Sequence, residues 1–292
     1  MISKLEFFIA VAKEKHFGKA AASLGITQPT LSAGIQNLEN QLDVMLIKRG
    51  TRFQELTFEG QRVLDWAQKI CADARTMKEE IRSLKKGMSG LLRIGVIPSA
   101  ETMIPNISNS FLKKYPNVKI EFYSRSSHSI ILGLEQFELD LGITYLENEP
   151  LGKLTSIPLF SESYCLVAHK TFKLTDKPSV SWRDMENIKL CLLTQNMQNR
   201  RILNYHFKNA GVTVKAQLEA DSILSLIAHI ESGQWASILP ETLANLVNSG
   251  DSLITIPLIG PVEKQKIGLV ALDRQPHSPL ISAILKRAKT FF

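Results

Sequence analysis

The chain has 292 residues, enough for two ordinary domains, and its 44% hydrophobic and 22% charged residues are those of a globular protein. With no run of about 18 apolar residues, a membrane-spanning helix is excluded. A formal net charge of +7 favours a polyanionic partner, yet it is too small for binding by bulk charge alone. The excess is concentrated at the start: residues 1–90 hold 14 Lys+Arg against 10 Asp+Glu, and the remaining 202 hold 21 against 18. MISKLEFFIAVAKEKHF lacks a long apolar segment and a small-residue cleavage site, so a signal peptide is not expected and a cytoplasmic location is.

Ser3 to Lys15 reads as an amphipathic helix with Leu5, Phe8, Ile9 and Ala12 inward. Ala20, Ala21 and Leu24 suit a second helix crossed closely by another, and Gly25 ends it. Thr27 is a good N-cap for a third helix, with Pro29 in its first turn. Leu31, Ile35, Leu38 and Leu42 then repeat at steps of four, three and four, which gives a buried stripe. The other face carries Gln28, Thr30, Ser32, Ala33 and Gln36, which are short and uncharged. A helical hairpin inside a larger fold is the plain alternative. The pattern nonetheless suits a helix–turn–helix whose second helix reads base edges through Thr27, Gln28, Pro29, Thr30, Ser32, Ala33 and Gln36. The basic segment Lys48-Arg49-Gly50-Thr51-Arg52 suits a wing on phosphates, through Lys48, Arg49 and Arg52.

Thr57 to Lys86 contains no proline and predicts one long helix. Val63, Ala67, Ile70, Ala74, Met77, Ile81 and Leu84 alternate at steps of four and three, the period of a seam between two helices. These seven are the candidate dimerisation residues. Lys85 to Gly90 reads as a hinge. Beyond Leu91 the pattern changes. LLRIGVI, VKIEFYS, LDLGITY, CLVAH, KLCLLT, TVKAQLE, WASILP and KIGLVAL read as strands. Ser99–Tyr115, Ile130–Phe137, Arg200–Ala210, Ser222–Glu231 and Pro279–Phe292 read as helices between them. Such alternation predicts βαβ units and a parallel sheet. Cys71, Cys165 and Cys191 show no paired spacing and are expected to be free thiols. The histidines are scattered, so no metal site and no cofactor is expected.

AAASLGITQPTLSAGIQNLENQLDVMLIKRG, followed by LTFEG at Leu56–Gly60, resembles the N-terminal domain of the LysR-type transcriptional regulators. Ala20, Ala21, Leu24, Thr27, Gln28, Pro29, Ser32, Ile35, Leu38 and Glu39 carry the match. Gly34 replaces a long polar residue, at a cost in helix stability and of one DNA contact. Asp43 replaces a glycine. IGVIPSAETMIP, KKYPNVKIEF, LDLGI and SGQWASILP resemble the effector domain of the same family. The resemblance implies a two-part α+β chain, with a winged helix–turn–helix and long linker helix followed by an α/β effector domain of two subdomains like periplasmic solute-binding proteins. The implied boundaries are 1–60, 61–90 and 91–292, with one subdomain at about 91–161 plus 267–292 and the other at about 162–266. The implied partners are double-stranded DNA carrying an interrupted inverted repeat in a promoter, a small-molecule effector, RNA polymerase, and further copies of the chain in a dimer and tetramer.

An effector would lie between the two subdomains, at strand ends and helix starts. Ser99, Ala100, Ser126, Ser127, His128, Thr144, Thr194, Asn196, Asp221 and Ser222 are the candidates. Hydroxyls at helix starts suggest a small anionic metabolite. The alternatives are an enzyme, or a solute-binding protein, with an accessory helical domain. No GxSxG, GxxxxGK[ST] or HExxH motif supports an enzyme.

Overall fold

The computed structural model describes residues 1–48, 55–147, 150–172, 177–247, 252–260, 264–288 and 290. The chain divides into two compact units, Met1–Gly87 with His277–Pro279, and Met88–Pro276 with Leu280–Phe292.

The first unit contains α1 (Ile2–Glu14), α2 (Phe17–Ser23), α3 (Gln28–Leu42) and α4 (Phe58–Lys86). Leu5, Phe8 and Val11 of α1 meet Ala20 and Ala21 of α2 and Leu31, Ile35 and Leu38 of α3 in one core. Val11 is the fully buried third member of the α1 face, whereas Ile9 and Ala12 are only half-buried. Leu42 falls outside the stripe and is 38% exposed, because α3 stops there and Asp43 turns the chain at φ 53°. A left-handed residue is what a glycine at that place would supply, and Asp tolerates it. Thr27 caps α3 by accepting from the Thr30 amide at 3.4 Å. The Glu39 carboxylate leaves the α3 surface to accept from the Leu46 and Ile47 amides at 2.8 and 3.3 Å. It thereby pins the returning chain, which bridges Ile47 to Leu56 in antiparallel fashion. Arg49 and Arg52 lie outside the described residues.

Two glycines have packing reasons. A Cβ on Gly34 would lie 2.5 Å from the Phe7 ring, so this position faces α1. A Cβ on Gly60 would stand 2.0 Å from the Leu46 carbonyl oxygen, which no side chain could accept without backbone movement. Thr57 draws the same two segments together. Its hydroxyl donates to the Met45 carbonyl at 2.6 Å and accepts from the Gly60 amide at 2.8 Å.

The second unit opens with β1 (Gly90–Val96), a 3₁₀ turn (Pro98–Met103), α5 (Ile104–Lys114), β2 (Val118–Ser124), α6 (Ser127–Glu135) and β3 (Leu141–Tyr145). The long β4 (Leu154–Glu162) leads into β5 (Tyr164–His169). Then follow β6 (Val180–Ser181), a 3₁₀ turn (Trp182–Asn187), β7 (Cys191–Leu193), α7 (Gln198–Asn209), β8 (Leu218–Ala220), α8 (Ile223–Glu231), β9 (Ala236–Pro240), α9 (Glu241–Val247), β10 (Leu253–Ile259), β11 (Gln265–Leu272) and α10 (Pro279–Ala288). One sheet has the order β2-β1-β3-β11-β4, another β6-β10-β5-β9, and β7 pairs with β8.

The expectation of a parallel sheet is only half met. β1 pairs in parallel with β2 and β3, but β11 runs antiparallel to both β3 and β4. β5 is likewise antiparallel to β9 and β10. Local alternation reports βαβ units, but it is blind to a strand such as β11 that enters from the far end of the chain. Of TVKAQLE only Leu218 and Glu219 are strand, in β8. The expected helix from Ser99 is a 3₁₀ turn until Ile104, where Pro105 takes a first-turn position in α5. Among the described residues no helix is long and apolar enough to cross a membrane.

Candidate functional sites

The face expected to read DNA lies on α3. Thr27, Gln28, Pro29, Thr30, Ser32, Ala33 and Gln36 are all exposed, while Leu31, Ile35 and Leu38 hold the helix from behind. Residues 27–38 include no acidic side chain. The first carboxylate, Glu39, is turned into the fold by its two amide bonds. The face is thus neutral and carries hydrogen-bonding side chains. Lys48, the one expected phosphate contact among the described residues, is exposed and paired with Glu55.

Along α4 the proposed seam divides. Val63 and Ala67 pack on the core of their own unit, because the first turns of α4 close that core. Farther on, Ile70 is 40% exposed, Met77 59%, Ile81 51% and Leu84 79%, and Ala74 is half-buried. Trp66 is also exposed and was not anticipated, since it stands one residue off the seam.

The second unit has a narrow crevice lined by Ile97, Pro98, Ser99, Ser126, Ser127, Tyr145, Leu193, Met197, Gln198 and Asn199. The start of α6 contributes one wall and the start of α7 the other. Ser126 caps α6, accepting from the Ser129 amide at 3.3 Å. Ser127 is buried, and its hydroxyl has no hydrogen-bond partner. Met197 gives α7 no side-chain cap. Ser99 is not a cap either: it is buried and its hydroxyl lies 3.1 Å from that of Tyr145. Tyr145 in turn donates to Glu162 Oε1 at 3.0 Å. The Asn199 side chain also faces the Tyr145 hydroxyl.

Glu162 is 1% exposed, and its Oε2 has no hydrogen-bond partner. Burial pushes its carboxyl up to about 7, while hydrogen bonding from Tyr164, Tyr145 and Ser99 opposes the rise. The Tyr164 hydroxyl faces this carboxyl without a bond of regular geometry, and burial raises both tyrosines well above their usual range. Among the described residues no cation pairs with Glu162.

Of the ten residues expected at the effector site, only Ser99, Ser126 and Ser127 line the crevice. Ala100 is fully buried in the core, and His128 is exposed. Thr144 lies inside β3 rather than after it, fully buried opposite Gly268. Thr194 donates to Asn196 at 2.7 Å on the surface. Asp221 is exposed, and Ser222 starts α8 without a side-chain cap bond. Gln198 and Asn199 were missed, as were Tyr145 and Glu162. The available signal was QNRR, three residues after the strand-like KLCLLT: Arg200 is buried there by Glu219 at 2.8 Å and the Leu193 carbonyl at 2.8 Å, which orients the first turn of α7.

Among the described residues no group of three or more His, Cys, Asp and Glu could hold a metal ion. The three cysteines are free, and burial is the main cause raising each thiol, Cys71 to about 11, Cys165 to about 12 and Cys191 to about 11.

Two family profiles match the chain, "Bacterial regulatory helix-turn-helix protein, lysR family" over residues 2–61 and "LysR substrate binding domain" over residues 85–292. The DNA-binding transcriptional dual regulator OxyR of Escherichia coli K12 is 29% identical over 283 residues, covering 96% of this chain and 91% of the relative. The HTH-type transcriptional regulator AlsR of Bacillus subtilis 168 is 30% identical over 283 residues, covering 95% and 91%. A full-length OxyR variant from Pseudomonas aeruginosa superposes with a TM-score of 0.75 at 23% identity, covering all of this chain and 94% of that one. Full-length CbnR, solved with its target DNA, gives 0.70 at 19% identity and 100% coverage of both. These relatives are named as regulators, not enzymes. The chain belongs to the LysR family of transcriptional regulators, with a helix–turn–helix domain and an effector-binding domain.

Proposed function

We propose that this regulator acts in the cytoplasm, reads a specific inverted repeat through α3, and is controlled by a small anionic metabolite held in the crevice of its second unit. The observation that carries the DNA half is the α3 face, exposed, neutral and free of carboxylates over residues 27–38. Gln28 and Ser32 are the base readers, with Arg49 and Arg52 on phosphates. That CbnR was solved with its target DNA supports the reading. The exposed stripe of α4 pairs two copies so that two α3 helices face two half-sites. Helix starts favour anions, and α6 and α7 both begin on the crevice, α7 without a side-chain cap.

Several relatives are named as activators of hydrogen peroxide-inducible genes. A thiol raised to about 11 leaves on the order of 10⁻⁴ as thiolate at neutral pH. Cys71, Cys165 and Cys191 therefore make poor peroxide sensors, which favours a bound ligand over thiol oxidation.

Replacing Gln28 or Ser32 by alanine should lower binding to the operator by about 1–3 kcal/mol per lost base contact, with little change on random duplex. Arg52→Ala should weaken both alike and flatten the salt dependence by about one unit of log–log slope. Titrations of each variant across a salt series check this. An Arg52→Ala protein that loses only operator binding would reject the assignment.

A further inference from the structure

A second cavity lies in the same unit. It holds about 280 Å³ between the 3₁₀ turn at Trp182–Asn187, the last turns of α7 and the end of β10. α7 brings Gln198 and Asn199 to the crevice but His206 and Asn209 to this cavity, so the two ends of one helix line different spaces. The volume exceeds the roughly 150 Å³ that admits a benzene ring. Trp182, Ala210 and Ile259 supply apolar walls, and Arg183 and Asn209 are exposed. Among the described residues no carboxylate lines the cavity. Asp184, next along the turn, is held by the Ser181 amide and hydroxyl at 2.7 Å each.

Trp182 points to a ligand. Its ring is 3% exposed, stacked on His206 with centroids 4.6 Å apart, and edge-on to Phe207 at 5.7 Å. These neighbours fix its orientation. A Cβ built on Gly260, which also lines the cavity, would lie 3.5 Å from Trp182 Cδ1, the carbon bonded to Nε1. The pyrrole edge therefore faces the cavity side, and Nε1 has no hydrogen-bond partner. Such a buried donor left unmade is costly and uncommon in native proteins. An acceptor on a bound molecule would satisfy it.

We infer that this cavity is a second small-molecule site, for an organic acid with an apolar body. The body lies on Trp182, Ala210 and Ile259, and the carboxylate accepts from the Trp182 indole N–H and the Arg183 guanidinium. The crevice reading does not enter this inference, and either can fail without the other.

The test uses the full chain with nitrogen-15 in its indoles, which gives one N–H signal each for Trp66, Trp182 and Trp235. Trp182→Phe assigns its signal by loss; if that variant does not fold, Trp66→Phe and Trp235→Phe assign it by elimination. Benzoate and phenylacetate should move the Trp182 signal, and by calorimetry should bind about tenfold more tightly than benzyl alcohol or acetate. Arg183→Ala, at an exposed position, should keep the fold and weaken both acids about tenfold. A Trp182 signal that neither acid moves overturns the inference. Acid binding that Arg183→Ala leaves unchanged does so too, since the acids then sit elsewhere. An equal response to acetate or to benzyl alcohol overturns the class of ligand.

Discussion

A Met77→Lys, Ile81→Lys double variant should be a folded monomer that no longer binds operator DNA. Both side chains are largely exposed on α4, at 59% and 51%. Lysine at either place costs the single chain little, typically within about 0.5 kcal/mol. In a paired seam the balance differs. Four apolar side chains per dimer lose burial worth about 1.5 kcal/mol each, near 6 kcal/mol together, which raises the dimer dissociation constant on the order of 10⁴-fold. Without the partner only one half-site is read at a time. Sedimentation equilibrium and operator titration on one preparation check both consequences. A variant that stays dimeric and binds normally would remove α4 from the interface. Val63 and Ala67 are unsuitable for this test, since they pack on their own core and their loss would unfold it.

Glu162→Gln should change how stability depends on pH. The carboxyl is raised from 4.5 to about 7 in the folded protein, mainly by burial. Tyr145 of β3, Tyr164 of β5 and Ser99 face it, and none carries charge at neutral pH. The folded state therefore holds the proton more tightly than the unfolded chain does. The stability this brings is fully present below pH 4.5 and is lost as pH rises through about 7. The span between those values corresponds to about 3 kcal/mol. Wild type should lose that much between acid and mildly alkaline solution from this group, and Glu162→Gln should not. Chemical unfolding of both proteins at several pH values gives the comparison. Parallel stability curves would show that Glu162 is not the ionising group.

The N-terminal unit was largely legible because its signals are local. Thr27, Pro29 and Gly25 punctuate helices through their own backbone preferences, and the α3 stripe repeats over adjacent turns. What escaped there was tertiary: Gly34 yields to the Phe7 ring and Gly60 to the Leu46 carbonyl, partners distant in sequence. The effector unit was legible as α/β but not in its strand directions, since β11 reaches its neighbours from more than a hundred residues away. Three crevice residues were found because a helix start follows a strand there. Tyr145 was read as one more apolar strand residue, and Glu162 lies in a segment without strong periodicity. Nothing in LTSIPLFSE marks its last residue as a buried carboxyl; only the pairing of β4 with β11 places it there.

A regulator of this kind must distinguish one DNA sequence from others. The most direct test is the ratio of dissociation constants, at physiological salt, for duplex from upstream of the protein's own gene and for a scrambled duplex of equal length and composition. A ratio of about 10³ or more is expected, falling toward unity for the Gln28→Ala, Ser32→Ala double variant. Equal affinity for the two duplexes, unaffected by changes on α3, would contradict the account.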